Sequence, residues 1–291
     1  MDVEKAVLTA GGLGTRLLPL TISIPKEMFP LFSLCNGKLC VKPILQIIFE
    51  VIYEAGIRNF LIITGVGKRA VEDYFTPFHS TIALHKDKIN PVFFNYIECF
   101  YNKLRSANTM FVTQPSPKGF GDAVMYSRAF VGDQPFVLHA GDDLILGGDE
   151  NYIKRIINAF KRTDSDAIFY VEKIEDPRLY GVVIGEEEGE FIYVKDVIEK
   201  PSKIVSNYAI VAVYVFKPII FKYIEEVALN DKGEVQLSDA IKLMAIDGRK
   251  VIAVKLKANE NRIDIGTPER YIDALQKSYN FAFTSIQGHG R

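Results

Sequence analysis

The sequence predicts an α/β fold built on a mixed sheet. Short apolar runs rich in β-branched residues recur along the chain with amphipathic helical patterns between them. Runs that are apolar without interruption mean strands buried on both faces, which requires helices on both sides of a sheet. In the second half, two such runs flank the polar turn "GEEEGE", as two hairpin-paired strands would, so antiparallel strands join the sheet there.

The elements follow in order. "KAVLTA" (Lys5–Ala10) reads as a buried strand that runs into the glycine loop "GGLGTR". "PILQIIFEVIYEAG" spaces its apolar residues as a helix does, with Pro43 at its start and Gly56 as its stop. "RNFLIIT" is a second buried strand; "PVFFNYI" and "PFVLHA" continue the series, with a helix from about Asp122 to Phe130 between them. After "GDDLIL" a helix is expected around Tyr152–Arg162, then strands "AIFYVEK", "YGVVIG", "FIYVKDVIE" and "YAIVAVYVF". Helices near Pro218–Ala228, Gln236–Ala245 and Pro268–Phe281 follow. The whole is expected to be one domain, 1–291, in two halves of about 1–145 and 146–291.

Composition narrows the function. With 291 residues, 48% of them hydrophobic, the chain can bury a large core. A net charge of −1 argues against nucleic acid as partner, since such binders carry a basic excess. No apolar run reaches the roughly 18 residues of a membrane helix, so no membrane partner is expected. "MDVEKAV" is acidic and enters a strand at once, unlike a signal peptide. Cys35, Cys40 and Cys99 are odd in number and lack CxxC spacing. They suit neither a disulfide framework nor a zinc site, and are expected as buried or half-buried thiols in a reducing cytoplasm.

The glycine loop is where chemistry is expected. Glycines strip side chains from a backbone that something must approach, and Arg16 and Lys26 suggest an anion. Alone, the loop is equally a tight connection. A dinucleotide fingerprint is excluded, because Gly12-Leu13-Gly14-Thr15-Arg16-Leu17 ends in leucine and no long helix follows at once. "GVGKRA" at Gly65–Ala70 lacks the leading glycine and the hydroxyl of a phosphate-binding P-loop. Prolines 19, 25 and 30 stiffen the segment that carries Lys26.

At this point the residues carry a likeness. "KAVLTAGGLGTRLLPLT…PKEMFPL" resembles the opening signature of the sugar-1-phosphate nucleotidyltransferases, nearest to their uridylyl-transferring branch. "KPILQIIFEVIYEAGI", "QPSPKGFGDAV", "GDDLIL", "YGVV", "IEKP", "SNYAIVAVYVF", "GEVQLSDAI" and "IDIGTPERYIDAL" fall in that family's order, nearly end to end.

The resemblance implies a Rossmann-like three-layer αβα fold with a mixed central sheet. It implies attack by glucose 1-phosphate on the α-phosphorus of UTP, expelling pyrophosphate, with Mg²⁺ as cofactor. Arg16 would then clamp the triphosphate and Lys26 would contact phosphate near the reacting centre, these two being the catalytic residues. Ala10, Gly11, Gly12, Gly14 and Thr15 would hold the nucleotide, Gln114 would read the base, and Gly119 would let the base approach. The metal would fall on Asp142 and Asp264, with Asp143 as a substitute for Asp142. Two aspartates suffice because Mg²⁺ completes its shell with phosphate oxygens and water. In the second half, expected to hold the sugar phosphate, Gly181 and Glu199 would meet hydroxyls, Lys200 the phosphate, and Asn207 the same pocket. Relatives often carry histidine where this chain has Asp122. Family members are often dimers or tetramers, so a homo-oligomer is expected.

The bland alternatives are solvated cations, an Asp-rich turn and an exposed loop glutamine. "GEVQLSDAI" is expected to cap a helix through Ser238 or an earlier polar residue. His139 reads as a packed strand residue, since a phosphate oxygen already ionised at neutral pH needs no base. Two functional rivals stay open: thymidylyl transfer from dTTP, and a non-catalytic regulatory subunit of the same fold.

Overall fold

The computed structural model describes residues 2–76, 86–230 and 233–288. The core strands are β1 (Lys5–Ala10), β4 (Asn59–Gly65), β5 (Asn108–Gln114), β6 (Phe136–Ala140), β8 (Ala167–Lys173), β9 (Gly181–Glu188), β10 (Phe191–Glu199), β11 (Tyr208–Phe216) and β12 (Val251–Lys255). Among the described residues these make one nine-stranded sheet in the order β5-β4-β1-β6-β11-β8-β12-β10-β9. β1, β4, β5 and β6 run parallel, whereas β11 is antiparallel to β6 and β8. The sheet is mixed, as expected. Among the described residues no helix is long and apolar enough to cross a membrane.

Why the strands read as unbroken apolar runs is visible in β1. Ala6, Leu8 and Ala10 enter one core cluster and Val7 the other, because successive side chains point to opposite faces. One face is covered by α1 (Ile44–Glu54), α2 (Arg69–Phe75), α3 (Pro91–Arg105) and α6 (Tyr152–Thr163). The other carries α4 (Phe120–Met125), α5 (Arg128–Val131), α7 (Ile220–Asn230) and α8 (Leu237–Ile246). The three-layer sandwich is thus complete, and α9 (Pro268–Gly288) closes the first face.

Two expectations are corrected. "PVFFNYI" is not a strand but the first half of α3, whose N-cap Asn90 accepts from Val92 N at 2.9 Å with Pro91 behind it. Asn-Pro is a helix-start signal, and the stretch buries Phe100, Tyr101 and Leu104 at helical spacing once followed onward. The strand in this region is instead β5, which brings Gln114 to the sheet's end.

The hairpin β2 (Pro30–Cys35) and β3 (Lys38–Pro43) was not anticipated. Its turn, Asn36-Gly37, has φ of 50° and 74°, the left-handed pair that Asn-Gly adopts in two-residue hairpins. Cys35 and Cys40 meet at 2.6 Å on this hairpin and are half-buried. Cys99 is exposed, against expectation, on α3.

Two short strands finish the frame. β7 (Asp143–Gly147) pairs antiparallel with β13 (Glu260–Asp264), in a register that sets Asp264 opposite Asp143. This ribbon brings the end of the chain back to the loop after β6.

Candidate active site

β1 is flanked by β4 on one side and β6 on the other, so the loops leaving their C-terminal ends diverge there. A crevice at such a reversal is where open α/β sheets take ligands. A cavity of about 510 Å³ occupies it, lined by Gly11, Gly12, Gly14 and Thr15 after β1, by Asp142 after β6, and by Lys26, Gln114 and Gly119. Ala10 is the buried last residue of β1, directly before the loop. Gly14 opens not a long helix but a single turn of 3-10 helix, Thr15–Leu17.

The loop's glycines line the cavity, and Lys26 stands over them. Lys26 Nζ lies 3.8 Å from where a Cβ on Gly12 would sit, so the ammonium hangs over the glycine backbone. It donates to Asp142 Oδ2. Burial works against its charge, but Asp142, Glu27 and Asp264 outweigh that and raise its pKa. Arg16 follows the loop, is exposed, and makes no ion pair among the described residues. Lys26 therefore lines the cavity as a held cation, whereas Arg16 lies one residue beyond the last loop residue that lines it.

Behind Lys26 lies a pair the sequence reading missed. Glu27 is 1% exposed and accepts from Lys68 Nζ at 2.9 and 3.1 Å. Burial raises the Glu27 pKa, and Lys68 and Lys26 offset this only in part. Lys68 is the lysine of "GVGKRA": it serves the site as a counter-charge for an acid rather than as a phosphate-binding P-loop lysine.

The acids separate by role. Asp143 takes the Arg262 fork, with Nε at 3.0 Å and Nη2 at 2.6 Å, and also accepts from Ala212 N at 3.1 Å. Its lone pairs are committed to the frame. Asp142 and Asp264 each meet a single cation, Lys26 and Arg270, the latter at 2.6 Å. The two acids lie side by side, since Ile265 N donates to the Asp142 carbonyl at 3.1 Å. Burial works against the Asp142 charge, but Lys26 holds its pKa below the usual range. Burial raises the Asp264 pKa, and the negative charges of Asp143 and Asp142 add to this. Two neighbouring carboxylates that repel one another, with oxygens to spare, suit a hard divalent cation that shares its shell with phosphate. Among the described residues no group of three or more His, Cys, Asp or Glu is placed to hold a metal, so the fit is of this two-carboxylate kind.

Gln114 is not an exposed loop residue. It is 5% exposed, at the end of β5, with its amide between Gly119 and Asp122. Gly119 has φ +113°, and a Cβ there would lie 2.5 Å from the Val235 carbonyl oxygen. The position is therefore glycine because α8's leading loop crosses it.

A second cavity of about 230 Å³ shares Phe120 with the first and is lined by Tyr180, Gly181, Glu199 and Ser238. The Glu199 carboxylate packs 3.0 Å from the place of a Gly181 Cβ and accepts from Ser238 Oγ at 2.8 Å. Ser238 is therefore not the helix cap that was expected. The N-cap position falls on Gln236, which makes no side-chain cap bond. Lys200 Nζ stands 3.3 Å from Glu199 Oε1 and is largely exposed. Asn207 is not brought to this pocket: it lines another depression with Lys173 and Glu187, and donates to the Ile174 carbonyl at 3.1 Å. Tyr180 ties the pocket to the acids, its hydroxyl donating to Asp264 Oδ2 at 3.4 Å and its ring lying under Arg262 and Arg270.

Residues 5–280 match the Nucleotidyl transferase family. The chain belongs to that family. This nucleotidyltransferase is 37% identical over 82% of its length to the UTP–glucose-1-phosphate uridylyltransferase of Bacillus subtilis (strain 168), covering 79% of that protein. It is 34% identical over 95% of its length to the enzyme of the same name from Pseudomonas aeruginosa, covering 96% of it. A solved UDP-glucose pyrophosphorylase complexed with UDP-glucose superposes with a TM-score of 0.81 at 30% identity, covering 96% of this chain and 99% of that one.

His139 of this nucleotidyltransferase is fully buried on β6. Its Nδ1–H donates to the Ala140 carbonyl at 2.7 Å, which leaves Nε2 to accept from the Tyr152 hydroxyl at 2.9 Å. The neutral ring is thus satisfied and packed. Burial pushes its pKa down to about 4 from the usual 6.5. The folded protein binds this proton less readily than the unfolded chain. Its contribution to stability is therefore full above about pH 6.5 and is lost as pH falls towards 4, on the order of 3 kcal/mol in all. In urea titrations between pH 7 and 4, wild type is expected to lose more stability than His139→Gln by that margin; equal losses would contradict it.

Proposed function

We propose that the protein transfers the uridylyl group of UTP to glucose 1-phosphate, giving UDP-glucose and pyrophosphate. One observation carries this reading. A cavity walled by the glycine loop, the Lys26–Asp142 pair and a buried glutamine adjoins, through Phe120, a smaller pocket built on Gly181 and Glu199. That is room for a nucleoside triphosphate and a sugar phosphate side by side. The relatives named above support the choice of substrates.

The chain's residues divide the work. Gln114 and Gly119 hold the uracil, and Gly11–Thr15 offer backbone N–H groups to the triphosphate. Arg16 grips the β- and γ-phosphates that leave together as pyrophosphate. Lys26 gives up part of its hold on Asp142 to meet phosphate at the reacting centre. Glu199 accepts from sugar hydroxyls and Lys200 takes the sugar's phosphate, so the attacking oxygen is brought in line without a covalent protein intermediate. Asp142 and Asp264 would hold Mg²⁺, which when bound supplies positive charge to phosphate oxygens. The two halves of the chain share the task unevenly, since Ala212 and Glu234 of the second also line the nucleotide cavity.

The test is a grid of nucleoside triphosphates against sugar 1-phosphates with Mg²⁺, following pyrophosphate release. The greatest kcat/KM is expected for UTP with glucose 1-phosphate. Preference for dTTP would move the reading to thymidylyl transfer. Nucleotide binding with no release across the grid would make the protein a regulatory subunit.

A further inference from the structure

Gln114 carries a feature that the family resemblance does not supply: its amide is fixed in one orientation by this chain's own Asp122. Nε2 donates to Asp122 Oδ2 at 2.6 Å and to the Gly119 carbonyl at 3.3 Å, so both amide hydrogens are used. Oε1 accepts no hydrogen bond from a described residue and lies 3.0 Å from where a Cβ on Gly11 would sit, on the wall of the nucleotide cavity. Gln114 is 5% exposed and lines the cavity, and Oε1 is its one polar atom without a partner among the described residues. A carboxylate can only accept. Turning the amide over would set Oε1 against both Asp122 and the Gly119 carbonyl, oxygen against oxygen.

We propose that Asp122 is a positioning residue for base selection. By holding the Gln114 amide, it leaves an acceptor alone facing the base. Uracil presents a ring N–H to that acceptor. Cytosine, of the same size, presents a ring-nitrogen lone pair there and leaves two acceptors in opposition. Sites that hydrogen-bond one such edge reject its mismatch strongly, because a buried polar group is left unpaired. Asparagine in place of Asp122 can donate as well as accept, so it tolerates either setting of Gln114. The inference rests on the reading of this cavity as the UTP site.

The experiment measures Kd for UTP and for CTP by titration calorimetry in wild type, Asp122→Asn and Asp122→Ala, with pyrophosphate release assayed in parallel. Wild type is expected to prefer UTP by more than tenfold. In both variants that ratio is expected to fall about tenfold, chiefly through tighter or unchanged CTP binding against weaker UTP binding. The ratio is unaffected by how much of a variant is folded. A merely structural Asp122 would weaken both nucleotides alike; a ratio within threefold of wild type in both variants would overturn the inference, as would a wild type without preference. A wild type that discriminates the bases but releases no pyrophosphate would count against the catalytic reading and leave this one standing.

Discussion

Arg16→Ala is expected to lower kcat for UTP and glucose 1-phosphate by about 10²- to 10³-fold, the usual cost of one well-placed donor to developing charge. Its melting temperature should stay within a degree or two of wild type. The two halves of this result have one cause. Arg16 is exposed and makes no ion pair among the described residues, so folding does not use it. It does not itself line the cavity but directly follows Thr15, which does, so a triphosphate tail leaving the cavity would bring the charge it lacks. Arg16→Lys should recover only part of the loss, since an ammonium cannot bind two phosphate oxygens as a fork does. Steady-state kinetics beside a thermal melt decides the matter: a variant with wild-type kcat would remove Arg16 from the mechanism.

Lys26→Ala is expected to cost more, about 10³-fold in kcat, and to cost stability as well. Lys26 is mostly buried, with Asp142, Glu27 and Asp264 all acting on its charge. Its removal strands the mostly buried Asp142 carboxylate without its cation. Breaking one side of such a partly buried pair should destabilise by about 2 kcal/mol. The double variant Lys26→Ala/Asp142→Asn should recover most of that stability, because the stranded charge goes too, and should recover no turnover. Urea unfolding of the single and double variants checks the first claim. A double variant no more stable than Lys26→Ala would show that the pair does not act as described.

What could be read from the sequence follows how local each signal is. β1, β4 and β6 announced themselves as continuous apolar runs because both faces of the sheet are covered, and the glycine loop is visible for the same reason that it works: it lacks side chains. α3 was misread because its first half, "PVFFNYI", is apolar enough to pass for a strand, and only its Asn90-Pro91 start and later burial at Phe100 and Leu104 reveal the helix. The hairpin's Asn36-Gly37 turn carried a readable signal that went unused. The counter-charges are a different matter. Arg262 lies 119 positions from Asp143, and Lys68 lies 41 from Glu27. No local pattern joins such pairs, so the commitment of Asp143 to the frame, which leaves Asp142 beside Asp264 as the acid proposed for the metal, is legible only once β7 and β13 are paired. Ser238 looked like a cap from its neighbours in sequence, yet it answers to Glu199 across the fold.

The loop after β1 and its two cations are proposed to grip the triphosphate of UTP. A crystal structure of the protein with UTP tests this most directly. Uracil is expected against Gln114 and Gly119, with the phosphates on the amides of residues 11–15 and within reach of Arg16 and Lys26. UTP seated instead in the cavity of about 600 Å³ between the β2–β3 hairpin, α1 and α9, with that loop untouched, would contradict it.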